Sequence, residues 1–244
     1  MTAATARTLF VSDLHLDESR PGIVAQFEKF LGQVAPGADA LFILGDLFEY
    51  WVGDDGLALP LPARVAASLK AAAARLPVHF MHGNRDFLVA ERFARETGVT
   101  LIADPTEMDL YGSRALLMHG DTLCTADVAY QAFRAQVRDP AWQRAALARS
   151  MTERLAMAQD LRERSEGAKQ GKPMDLMDVS REAVERAFTA SGASLLVHGH
   201  THRPARHVHH VQGVERVRWV LADWYDRATY LEASPAGIRA VDAV

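Results

Sequence analysis

The chain has 244 residues, 49% hydrophobic and 24% charged, a composition that excludes disordered and collagen-like classes and suits one well-buried domain with or without an insertion. Its net charge of −4 gives no basis for general nucleic-acid binding, and its one cysteine, Cys124, cannot close an internal disulfide, in keeping with a reducing compartment. No apolar run approaches the roughly 20 residues that cross a bilayer, and residues 1–7 lack a signal-peptide core, so a cytoplasmic protein is expected.

Residues 8–12 predict a first strand delivering Asp13-Leu14-His15, with Asp13 and His15 on one side if extended geometry persists. Ile23, Phe27, Phe30, Leu31 and Val34 then recur at helical spacing up to Pro36-Gly37. The apolar run Leu41, Phe42, Ile43, Leu44 halts at Gly45 and presents Asp46. Such a run reads as a central strand buried on both faces, and layered α/β folds gather their chemistry at the carboxyl ends of such strands. After a loop from Trp51 to Gly56 and a Leu/Pro-rich stretch over 57–62, residues 64–76 read as an Ala-rich helix. Residues 78–81 read as a strand ending in His82-Gly83-Asn84-Arg85-Asp86. A short helix over 87–97, a strand over 99–103 and a hairpin over 107–118, turning at Gly112-Ser113, lead to His119-Gly120-Asp121.

From Asp127 to about Gly192 the pattern is helical. Tyr130, Phe133 and Val137 form one apolar stripe, and Leu147, Met151, Leu155 and Ala158 another, with Asp139-Pro140 between them. Residues 165–173 read as a polar loop and 179–190 as an amphipathic helix. Positions 134–172 carry nine Arg/Lys against five Asp/Glu, a local surplus of +4 that suggests an anionic partner. A buried strand over 194–197 ends in His198-Gly199-His200-Thr201-His202, and two closing strands fall near 208–211 and 217–222. With no repeat or low-complexity linker, the expectation is one domain over 1–244 with a helical insertion at about 127–192.

Five strand ends thus carry Asp13, His15, Asp46, Asn84, His119, His200 and His202. Carboxylates, imidazoles and an amide oxygen without cysteine suit borderline-hard divalent ions such as Mn²⁺, Fe²⁺ or Zn²⁺. Seven ligands exceed one ordinary site and suit two sites sharing a carboxylate, the two-metal clamp of phosphatases and nucleases. A lone histidine is more often a core or surface residue, and His79, His207, His209 and His210 are read that way.

Asp13-Leu14-His15, Gly45-Asp46, Gly83-Asn84-Arg85-Asp86, His119-Gly120-Asp121 and Gly199-His200-Thr201-His202 resemble the five ordered motifs of the calcineurin-like metallophosphoesterases. That resemblance implies an α/β sandwich of two mixed β-sheets flanked by helices, here with a helical cap. It implies one metal on Asp13, His15, Asp46 and His202 and the other on Asp46, Asn84, His119 and His200, with Mn²⁺ the favoured ion. The match is closer to the UDP-2,3-diacylglucosamine diphosphatases of lipid A synthesis, through Gly45 to Glu49, Trp51 to Asp55, His82 to Leu88, His119 to Cys124, Tyr130 to Arg134, Met177 to Val179 and His198 to Pro204. It implies hydrolysis at the α-phosphate by a water activated between the two ions, giving UMP and 2,3-diacylglucosamine 1-phosphate. Asp46, Asn84, Arg85 and His119 would be catalytic. The substrate would be held by Asn84, Arg85, Asp127, Ser165, Lys169, Lys172 and His200. A peripheral position on the cytoplasmic face of the inner membrane, with no nucleic acid and no obligate protein partner, completes the expectation.

One departure is informative. The superfamily commonly has histidine after Gly-Asn, usually assigned to protonating an alkoxide leaving group, where this chain has Arg85. A phosphate leaving group has a second pKa near about 6 and hardly needs that proton. A fixed guanidinium is then more useful, so Arg85 favours diphosphate cleavage, with simple pairing to Asp86 as the bland alternative. The other readings are a phosphoesterase acting on a cyclic or soluble nucleotide, and a binding scaffold that has lost catalysis. The insertion suits either core packing or a cap over acyl chains, with Leu57 to Leu61 near the same cleft.

Overall fold

The central strands bury both faces because each lies between two apolar layers. The computed structural model describes residues 6–169, 177–225 and 227–243, with the backbone alone at 164–166, 168 and 169. In the first sheet β1 (Thr8–Val11), β2 (Ala40–Leu44), β3 (Val78–Met81) and β4 (Thr100–Ile102) run parallel, and β10 (Thr229–Ser234) with β11 (Gly237–Asp242) adds an antiparallel edge beside β1. In the second, β6 (Ser113–Leu117), β7 (Leu195–His198) and β9 (Val214–Val220) are parallel, flanked by antiparallel β5 (Thr106–Leu110) and β8 (Ala205–Val211).

Period-two alternation sorts the side chains. Leu9, Val11, Leu41 and Ile43 face a core shared with Val24, Phe27 and Phe30 of the first helical stretch, α1 (Pro21–Lys29) and its π-helical continuation Phe30–Val34. That core also takes Val65 and Leu69 of α2 (Pro60–Ala73) and Phe93 of α3 (Glu91–Thr97). Phe10, Phe42, Leu44 and Met81 face the other way and meet Ala115, Leu117, Leu195 and Val197 between the sheets. Leu116 and Leu196 point outward to Val184 and Phe188 of α7 (Arg181–Ser191). Each such aliphatic or aromatic side chain contributes about 1.5–3 kcal/mol by leaving water, so both sheets are held rigidly from both sides. That rigidity is what fixes the loops at their carboxyl ends.

Several expectations need correction. The stretch read as one stripe from Leu147 to Ala158 breaks into α5 (Pro140–Leu147) and α6 (Met151–Lys169), because Ser150 and Glu153 form a reciprocal capping box: Glu153 accepts from Ser150 N at 2.9 Å, and Ser150 Oγ accepts from Glu153 N at 3.3 Å. Ahead of them, α4 (Val128–Arg138) starts at Asp127, whose carboxylate accepts from Tyr130 N at 3.1 Å. The polar loop expected over 165–173 is helical as far as Lys169, and 170–173 lie outside the described residues. The helix expected over 87–97 begins only at Glu91, since Phe87–Ala90 is spent in a turn closed by Val89 N on Asp86 O. The hairpin β10–β11 was not anticipated at all, because Thr229–Ser234 has an apolar face only once it lies beside β1.

Candidate metal centre

Beyond the strand ends the chain keeps pairing: Asp13 N donates to Gly45 O at 3.1 Å, and His15 N to Asp46 O at 2.9 Å. These short loops need tight turns, and the backbone supplies them with left-handed residues. Among the described residues seven non-glycines have positive φ; five of these are Asp13, His15, Asp46, His200 and His202, and the other two, Tyr111 and Gln212, sit in hairpin turns. Left-handed backbone costs about 1–2 kcal/mol per residue, less for Asp, so the strain is concentrated where function is expected.

The side chains meet in two clusters. In one, Asp13 Oδ1 lies 3.4 Å from His202 Nε2, His15 Nε2 lies 3.3 Å from His202 Nε2, and Asp46 Oδ2 lies 3.8 Å from His15 Nε2. In the other, Asp46 Oδ1 lies 3.8 Å from His119 Nε2, while His119 Nε2 and His200 Nδ1 converge on Asn84 Oδ1 at 3.1 and 2.8 Å. The two oxygens of Asp46 therefore face different clusters. Ligand atoms of Asp13, His15 and His202, and likewise of Asp13, Asp46 and His119, lie within 4.8 Å of one another, so Asp13 also touches both.

These residues suit divalent ions on three grounds. Asp13 Oδ1 is buried without a hydrogen bond among the described residues, its nearest ionic neighbour being His202 Nε2 at 3.4 Å, so it has a lone pair free for a cation. Three imidazoles have Nδ1 backed by an oxygen, from Leu44 O (His119, 2.9 Å), Asp223 (His202, 3.1 Å) and, as a close contact outside hydrogen-bond geometry, Glu49 (His15, 3.2 Å), which leaves Nε2 facing inward as metal sites require. The local field is strongly anionic. Burial works against charging His202 and His119, yet Asp13 and Asp223 lift His202 to about 10, and Asp46, Asp121 and Asp13 lift His119 to about 9. Metal ions would displace those protons. His200 behaves oppositely, held down to about 4 by burial and by the His119 charge.

The remaining expected residues are spread around this centre. Arg85 donates its backbone N–H to Asp46 Oδ1 at 2.8 Å, and its guanidinium lies 3.7 Å from Glu49. It does not pair with Asp86, whose carboxylate accepts from Leu47 N and Gly83 N, both at 2.8 Å. Asp127 caps α4 beside the site, and Tyr130 brings its ring to 5.6 Å from His200. Ser165 and Lys169 lie on α6, with only their backbone described, and Lys172 lies outside the described residues. Leu57 is core, whereas Phe133, Trp142 and Leu155 of the helical segment are half-buried.

Sequence reasoning missed Glu49, Asp223, Asp121 and Arg20. Burial works to raise the Glu49 carboxyl, but His15, Arg85 and Arg162 hold it at about 2. Asp121 anchors α4 by accepting from Tyr130 Oη at 2.8 Å and Arg134 Nε at 2.7 Å. A Gly-Asp-x-x-Glu spacing was visible for Glu49, but nothing local tells that its partner is His15. Cys124 is no part of this chemistry. Burial and nearby carboxylates push its thiol up to about 12, so the native protein should resist iodoacetamide at pH 8 and react fully in denaturant, as intact-mass measurement would show. Rapid native alkylation would contradict the packing around it.

The calcineurin-like phosphoesterase family model matches residues 6–204. Curated relatives named UDP-2,3-diacylglucosamine hydrolase include those of Aromatoleum aromaticum (51% identity, 94% of each chain), Marinobacter nauticus (49%, 93% of each) and Cellvibrio japonicus (49%, 95% of this chain and 96% of the relative). With its motifs at the carboxyl ends of two facing mixed sheets and half its residues shared with these hydrolases, the chain belongs to the calcineurin-like phosphoesterase family.

Proposed function

We propose that this chain hydrolyses the diphosphate bond of UDP-2,3-diacylglucosamine at the α-phosphate, releasing UMP and 2,3-diacylglucosamine 1-phosphate. The observation that carries this reading is the 51% identity over 94% of the chain to a hydrolase so named, which reaches well beyond the metal motifs and takes in the helical segment. Asp13, His15, Asp46 and His202 would hold one divalent ion, and Asp46, Asn84, His119 and His200 a second, with Mn²⁺ the proposed metal. When bound, such a pair supplies Lewis acidity to phosphoryl oxygens and a nucleophilic water near neutral pH.

The chain's own residues do the rest. Leu44 O and Asp223 are set to fix the tautomers of His119 and His202, and Glu49 Oε2 lies 3.2 Å behind His15 Nδ1. The Arg85 backbone N–H binds Asp46 Oδ1 and its guanidinium lies 3.7 Å from Glu49; that guanidinium is proposed to offset charge on the transferred phosphoryl and the departing phosphate, so no proton need be delivered to the leaving group. Ser165, Lys169 and Lys172 are proposed to hold the sugar phosphate or the glucosamine end, with Asp127 also among the substrate-binding residues. Half-buried Phe133, Trp142 and Leu155 are proposed to receive acyl chains, with Trp142 packing 6.1 Å from Phe87. No helix among the described residues is long and apolar enough to cross a membrane. The proposed location is therefore peripheral, on the anionic cytoplasmic face of the inner membrane, where the surplus of arginines meets acidic lipid.

Phosphorus NMR of the reaction in ¹⁸O-labelled water tests the chemistry. Label in UMP supports attack at the α-phosphate, and label in the sugar phosphate overturns it. Equal or better turnover of a soluble or cyclic nucleotide would move the assignment to another branch of the family, and no turnover of any nucleotide by the Mn²⁺-loaded protein would leave only a binding scaffold. Arg85→Ala is expected to lower kcat by roughly a hundredfold with KM changed far less, while Arg85→Lys recovers only part, since a point charge lacks the planar fork. Unchanged steady-state constants in Arg85→Ala would remove it from the reaction.

A further inference from the structure

Glu49 is 2% exposed, and its two oxygens serve different elements. Oε2 lies 3.2 Å from His15 Nδ1 and 3.2 Å from Arg20 Nη2, on the side of the loop after β1. Oε1 lies 3.3 Å from Arg162 Nε of α6 and 3.7 Å from Arg85 Nη1 of the loop after β3. The same helix is tied nearer its start, where buried Arg154 donates to Asp55 Oδ1 at 2.8 Å and to Val52 O. Arg154 and Arg162, about two turns apart, thus pin α6 to the segment that follows Asp46. Only the second of these ties reaches the metal-holding residues.

We propose that Glu49 is a positioning residue that joins the helical cap to the metal centre, one oxygen fixing the His15 imidazole and the other holding Arg162 and Arg85 over the same site. The inference rests on His15 being a metal ligand, as proposed above, and is independent of the substrate's identity. A buried carboxylate whose oxygens are divided in this way makes cap docking and ligand orientation share one group. Loosening either side disturbs the other, because the partly exposed Arg162 and the more buried Arg85 share one buried anion and must turn elsewhere without it.

Three variants separate the two sides: Glu49→Ala, Glu49→Gln and Arg162→Met. Calorimetric titration with Mn²⁺ alone reads the metal side, and amide hydrogen exchange over 151–163 reads the cap. Glu49→Ala should weaken Mn²⁺ binding about 10- to 100-fold and speed exchange in 151–163. Glu49→Gln, with its amide oxygen toward His15 and its NH₂ toward the two guanidiniums, should keep Mn²⁺ affinity within roughly threefold yet speed cap exchange as much as Arg162→Met. Combining those two should add nothing further. Wild-type Mn²⁺ affinity in Glu49→Ala, or wild-type cap exchange in Glu49→Gln and Arg162→Met, would overturn the proposal. So would exchange rising equally in β2, β3 and the cap, which marks a general loss of stability instead. Should Glu49→Ala not fold, the other two variants decide. Failure of the wild-type protein to bind Mn²⁺ would strike the metal assignment itself.

Discussion

Asp46→Asn is expected to lower kcat/KM by roughly a thousandfold, about 4 kcal/mol of transition-state stabilisation, while the protein still unfolds cooperatively. The two oxygens of Asp46 face different clusters, one toward His15 and the other toward His119. Asparagine keeps one oxygen and puts an amide group on the other side, so whichever way it turns, one cluster loses an acceptor and gains a donor. The backbone at Asp46 has φ 52°, which asparagine tolerates nearly as well as aspartate, so the substitution removes charge without adding strain. Metal analysis should find fewer ions per chain than in the wild-type protein at equal free Mn²⁺. Turnover within tenfold of wild type, with full metal occupancy, would refute a shared role for this carboxylate.

Gly83→Ala is expected to cost more than about 3 kcal/mol of stability and to abolish activity together with it. A Cβ at this position would stand 2.0 Å from Asp46 Oδ1 and 2.3 Å from Asp46 N, and the second of these is backbone that cannot swing aside. Gly45, with φ 92°, completes the contact: its own Cβ would meet the Gly83 backbone at 2.6 Å and His119 Nδ1 at 2.5 Å. The loops after β2 and β3 can touch only because both positions lack a side chain. Gly32 supplies the contrast, since nothing lies within 4 Å of a Cβ there. Gly32→Ala should be neutral or stabilising by up to about 1 kcal/mol. Urea midpoints at constant m distinguish the two, and a Gly83→Ala midpoint equal to wild type would show that the loops can separate without loss.

The parts of this fold legible in the sequence were those whose signal is local. Leu41 to Leu44 and Leu195 to Val197 announce buried strands by composition alone, and the residues that follow them carry the chemistry. Within the strand expected over 8–12, Leu9 and Phe10 take opposite faces, as its alternation requires. What escaped depended on distant contacts. Glu49 and Asp223 look like surface acids until the fold sets them behind His15 and His202. The strand Thr229–Ser234 is defined by pairing with β1 at the far end of the chain. Gly167 read as a loop signal, yet α6 runs through it and absorbs a penalty of about 1 kcal/mol. The Ser150–Glu153 capping box is a local signal too, and it overrides the apolar spacing that runs across it.

The two clusters draw on residues from Asp13 to His202, and each needs the loop after β7, one for His202 and the other for His200. A nascent chain that has already released its first sheet strands from the ribosome therefore possesses neither half of the centre. Both halves arrive with the same three residues, His200 to His202. On the proposed assignment, a product terminated upstream of β7 would carry most of the acidic side chains but lack an imidazole from each cluster, and it is expected to bind Mn²⁺ weakly and to be inactive.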